Sequence, residues 1–98
     1  MSFEENAELD FLFAEAKLGI AVEEWLASDV GKYMKGRAEG ELEEIKRKLI
    51  ELPEWQSSTA KQLQDRAKML QTMMSWLAQA IDNGHASEMA LQEAESGQ

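Results

Sequence analysis

The chain has 98 residues, 44% of them hydrophobic and 30% charged, with a formal net charge of −9. These totals fit one folded domain with a modest core and exclude wholesale disorder. It has no cysteine, which also excludes disulfides, thiolate nucleophiles and thiolate zinc sites.

The charge is unevenly spread. Residues 1–28 carry seven acids and one lysine, and residues 84–98 carry three acids and no lysine or arginine. Residues 29–60 hold seven acids against six bases, and residues 61–83 hold two against three. A net negative field repels phosphate, so direct nucleic-acid binding is disfavoured. The acidic start MSFEENAELD lacks the basic region of a signal peptide. No apolar run approaches the roughly 18 residues a membrane span needs. The expectation is a cytosolic protein without a membrane.

Alanine, glutamate, leucine, lysine, glutamine and methionine dominate, and no Val/Ile/Thr-rich alternating run occurs. The fold class read from this is all-α. A first helix is predicted over about 4–27. It carries one apolar stripe of Ala7, Phe11, Ala14, Leu18, Val22 and Trp25, and a second of Leu9, Phe13, Ala16, Ile20 and Ala27. At 100° per residue the two stripes fall on nearly opposite sides, so this helix should lie between two surfaces. Gly19 is placed to kink it or end it early.

Ser28 is the natural N-cap of a second helix, with Asp29 at its positive dipole end. Val30, Met34, Ala38, Leu42, Ile45, Leu49 and Leu52 form one stripe, and Pro53 stops the helix. Three glycines interrupt its first half. Gly31 sits in the first turn, where glycine is least costly and where the crossing from the first helix is tightest. Gly36 and Gly40 form a G-x-x-x-G strip beside the core stripe, read either as a close approach by another helix or as a tolerated soft helix start. The basic run Lys46-Arg47-Lys48 follows Glu43-Glu44 and reads as helix ion pairs rather than a phosphate patch.

PEWQSS, residues 53–58, is the predicted connection, with Trp55 capping the end of the core. Thr59 and Gln62 have the spacing of a capping box. The third helix should run to about Asp82 along Leu63, Ala67, Leu70, Met74, Leu77 and Ile81, a coiled-coil alternation. Beside that row lie Met69, Met73 and Trp76. The preferred reading makes them core covered by the first helix, and the sharper one makes them a plastic partner-binding face. Asn83-Gly84 gives a C-cap signal. Residues 1–84 then form one helical domain, and 85–98 an acidic tail, partly disordered or weakly helical.

The expected architecture is an antiparallel hairpin of the second and third helices with the first packed across it. The first helix keeps an uncovered face, which a homo-oligomer would cover. The interface candidates are Leu9, Phe13, Ile20, Gly36, Gly40, Met69, Met73 and Trp76.

No catalytic residue, cofactor or metal ligand is expected. One histidine, His85, with Glu88 three residues on, is too small a donor set for a specific metal site. Carboxylate pairs such as Glu4-Glu5 and Glu43-Glu44 lie on predicted polar faces, with no sign of the pocket that carboxylate catalysis needs, and read as solvated. Neither a P-loop nor a dinucleotide-binding glycine motif is present.

The stretches WLASDVGKYMKGRAEGE and LQDRAKMLQTMMSWLAQAIDNG resemble a family of small helical proteins of tailed bacteriophages and prophages. Trp25-Leu26, Ser28, Gly31, Tyr33 and Arg37-Ala38 carry the likeness, followed by Leu63-Gln64, Trp76-Leu77-Ala78, Ile81 and Gly84. It spans roughly residues 25–84. The turn PEWQSS departs from the Asp-Pro-rich turn of that family, and the aromatic first helix lies outside the likeness. The resemblance implies a context among late, virion-assembly genes and no mechanism. The functional expectation is a non-enzymatic phage protein acting through helix-mediated protein assembly, in the host-cell cytoplasm or the virion. The alternative is an acidic inhibitor of a host factor that mimics DNA.

Overall fold

A computed structural model of the chain describes residues 3–97 and consists, among them, of three helices and no strand. Helix α1 spans Phe3–Ala27, α2 spans Asp29–Glu51 and α3 spans Ser57–Ser96. Forty residues of α3 at 1.5 Å each make a rod of about 60 Å, and this sets the long axis of a molecule measuring 65 × 29 × 17 Å.

One extended residue separates α1 from α2. Ser28 has φ −71° and ψ 162°, and its own N–H bonds back to the Glu24 and Trp25 carbonyls at 3.0 Å. Its hydroxyl oxygen accepts the Gly31 N–H at 3.1 Å, and its carbonyl accepts the Lys32 N–H at 2.9 Å. One serine thus closes the first helix and caps the second. The tight crossing from the first helix expected at Gly31 is what requires glycine there. A β-carbon on it would lie 1.8 Å from the Trp25 carbonyl oxygen. The α2 helix ends at Leu52, whose N–H bonds the Lys48 carbonyl at 3.0 Å.

The principal packing is α1 against the second half of α3, in antiparallel register. Gly19 faces Gly84, and Ser87 Oγ donates to Glu15 Oε2 at 2.6 Å. A β-carbon at Gly19 would sit 2.9 Å from Gly84 Cα and 3.0 Å from the Ala80 carbonyl oxygen. The backbones cross with no side chain between them, helped by the small residues Ala16, Ala80 and Ala90 on the same faces. The inward row of α1 is Leu9, Leu12, Ala16, Gly19, Val22 and Leu26. It takes Val22 from one of the apolar stripes read from the sequence and Leu9 and Ala16 from the other, and is centred between them on Leu12, Gly19 and Leu26. Phe11 and Leu18 on one flank, and Phe13 and Ile20 on the other, are exposed.

These contacts correct several expectations. Gly19 does not end α1, which stays helical to Ala27. Gly84 is not a C-cap, and α3 passes through it and stays helical to Ser96. Glycine carries no cap signal here because its missing side chain is used for close approach. The third helix also begins earlier than the Thr59 capping box implied. Its N-cap is Gln56, without a side-chain cap bond, because the Gln56 N–H closes a turn onto the Pro53 carbonyl and the Ala60 N–H already bonds Gln56. Trp55 caps nothing, being 78% exposed.

Helix α2 follows the first half of α3. Ile45 is buried, with Leu42, Leu49, Leu63, Ala67 and Leu70 half-buried around the same seam. Arg66 Nε donates to Glu41 Oε1 across that seam. Further toward Ser28 the seam opens, and Val30 and Met34 are exposed. A β-carbon at Gly36 or Gly40 would meet nothing within 4 Å, so no helix of the chain approaches that strip closely. Lys35–Glu39, Lys46–Glu43 and Lys48–Glu44 form ion pairs within α2. All are exposed and each adds a few tenths of a kcal/mol.

Candidate interaction surface

Among the described residues, Ile45 is the one buried hydrophobic side chain, and no large side chain is fully buried. The radius of gyration is 19.8 Å, against about 13 Å for a compact chain of this length. The helices form a single layer 17 Å thick, with two broad faces and almost no interior between them. Stable domains need at least two packed layers to bury an apolar stripe.

On one side of this layer the apolar side chains converge. Phe11, Leu18 and Trp25 recur every seven residues and so share one flank of α1. Trp25 borders a cleft of about 420 Å³ where the α1–α2 junction faces the middle of α3. Its floor is Leu70, Met74, Leu77 and Ile81 of α3, with Leu26 and Met34 opposite. Lys35, Arg37 and Glu41 stand along the α2 side. Met73 lines this cleft and also a shallower hollow beside it, shared with Met69 and Trp76. The expected cover of α1 over Met69, Met73 and Trp76 is absent. Met73 is 46% exposed and Trp76 63%, because α1 lies end to end with α2 along α3 instead of across both. An apolar centre with charged groups at its edge has the layout of a protein-binding surface.

The remaining candidates divide. Phe13 and Ile20 are exposed on the far flank of α1, Leu9 is half-buried on the α3-facing row, and Gly36 and Gly40 are bare. The row Phe11, Leu18 and Trp25 is absent from the interface candidates taken from the sequence. Its seven-residue recurrence was legible, but the inward face of α1 was not.

His85 lies within α3, not in a loop, with Nε2 2.7 Å from Glu23 Oε1 of α1. Groups of three or more metal-binding side chains are absent among the described residues. The Arg66 guanidinium hydrogen-bonded to Glu41 holds that carboxyl below its ordinary value, and Glu41 in turn raises Arg66. Arg66 is exposed and Glu41 half-buried, so the pair joins α2 to α3 at the cleft edge without forming a buried charge site.

Among the described residues no helix is long and apolar enough to cross a membrane. No protein-family model, curated protein or solved structure matches the chain.

Proposed function

We propose that this chain is a non-enzymatic bacteriophage protein that works through helix-mediated protein assembly. It would serve as a structural or morphogenetic component, or as an accessory of the head or packaging machinery, in the host cytoplasm and the virion. In that role α2 and α3 act as an antiparallel hairpin arm, and the apolar flanks of α1 stay available to partners. The observation that carries this reading is the single helical layer with, among the described residues, one buried hydrophobic side chain. Such a layer gains its missing interior from another protein surface. The phage context comes from the resemblance of residues 25–84 alone. Mass spectrometry of purified virions and of their assembly intermediates tests it. Recovery of the chain in either supports the role, and its absence from both overturns it.

One observation favours a second reading, an acidic inhibitor that mimics DNA. The packing of α1 on the C-terminal half of α3 gathers the two acidic segments at one end. Residues 1–28 and 84–98 together hold ten acids and one lysine. An inhibitor of this kind should bind a DNA-handling host enzyme with an affinity that falls steeply with salt. Salt-independent binding would argue against it.

A further inference from the structure

We infer that the face carrying Phe11, Leu18, Trp25, Met69, Met73 and Trp76 is covered by a second copy of this chain. The two copies run in opposite directions about a two-fold axis at the central cleft. This rests on the assembly reading above and names its partner.

The area is of the right size. The chain exposes 7743 Å², whereas a compact monomer of 11.1 kDa exposes about 5,700 Å². The excess of about 2,000 Å² is ample for the roughly 800 Å² per partner that a stable interface takes. A second single layer laid on the first gives the two-layer arrangement of a helical bundle, with the apolar row between the layers.

The direction follows from charge. The end built from residues 3–28 and 84–97 carries the whole net charge of −9, while residues 29–83 balance nine acids with nine bases. Two copies stacked in the same direction would set −9 against −9. Opposite directions set each acidic end over the balanced end of its partner, which holds nine of the ten lysines and arginines. The cleft lies near mid-length, where a two-fold axis brings Trp25 and Met73 of both copies together. An isologous contact of this kind closes at two copies.

The absence of cysteine permits a clean experiment. Light scattering on the purified full chain should give twice 11.1 kDa. Met73→Glu and, separately, Trp76→Glu should each raise the dissociation constant at least tenfold while circular dichroism stays helical. Ile50→Glu, at an exposed position on the far part of α2, should leave the mass unchanged. A spin label on Glu8→Cys should give a pair distance of about 50 Å for opposed copies, and about 20 Å for copies in the same direction. The shorter distance, or a dimer indifferent to both face variants, overturns the inference. A monomer also overturns it, and acrylamide quenching of Trp25 and Trp76 in a Trp55→Phe background then separates two cases. Quenchable tryptophans leave the face open for a different protein, so the assembly reading survives. Shielded tryptophans remove that reading as well.

Discussion

The two halves of this molecule hold their helices together by opposite means. In the acidic half, α1 and α3 meet backbone to backbone at Gly19 and Gly84, with only small side chains around the crossing. In the other half, α2 and α3 are held apart by leucine and isoleucine at one end and part around a cleft at the other. A close glycine crossing gains dense van der Waals contact but tolerates no added atom. A seam of long aliphatic side chains is wider, and it leaves room for a partner. The same residue type therefore has opposite meanings in the two halves: required at Gly19 and Gly84, and unconstrained by contact at Gly36 and Gly40.

The largest effect should come from breaking the tight half. Gly84→Ala places a β-carbon 2.8 Å from Gly19 Cα and 3.2 Å from the Glu15 carbonyl oxygen. Backbone cannot yield as a flexible side chain would. A net loss of about 2 kcal/mol is expected despite the better helix propensity of alanine, measured by urea unfolding. An unchanged midpoint would mean that the crossing is not close in solution.

The opposite sign is expected in the loose half. Gly36→Ala and Gly40→Ala add methyl groups into open space and should together stabilise the chain by about 1–2 kcal/mol. If they destabilise it or block association, a helix from another molecule approaches this strip, and its bareness here belongs to the lone chain.

The smallest effect concerns the link between Glu41 and Arg66. Because folding lowers the Glu41 pKa, the pair stabilises the fold above the ordinary glutamate value. That contribution fades as pH falls through the lowered value. The thermal midpoints of the wild type and Glu41→Gln should therefore differ slightly at neutral pH and converge in acid. A difference that persists in acid would assign the effect to something other than the charge.

Much of this architecture was legible in the sequence. Helix α1, the Ser28 cap and the stop at Pro53 follow from short-range signals: periodicity, a side-chain acceptor and a missing N–H. What stayed hidden was which face of α1 turns inward. Counting apolar side chains picks out Phe11, Leu18 and Trp25 on one side and Phe13 and Ile20 on the other. It passes over Gly19, whose contribution is the absence of a side chain. Gly84 was misread for the same reason, since Asn-Gly at a helix end and glycine at a helix crossing look alike until the opposing glycine is known. The cleft follows from the same error. Once α1 is placed end to end with α2, Met69, Met73 and Trp76 lose their expected cover.

The shallow burial of the seams, where among the described residues Ile45 is the one buried hydrophobic side chain and its neighbours are half-buried, has a calorimetric consequence. The heat capacity of unfolding scales with the apolar surface newly exposed to water, and a typical chain of this length shows about 1.3 kcal/mol/K. The lone chain exposes 7743 Å² against about 5,700 Å² for a compact chain of its mass, so its value should fall below that figure and its stability curve should be somewhat flatter. The full value should appear only at concentrations where the exposed face is covered, making the calorimetric baseline step itself a report on association.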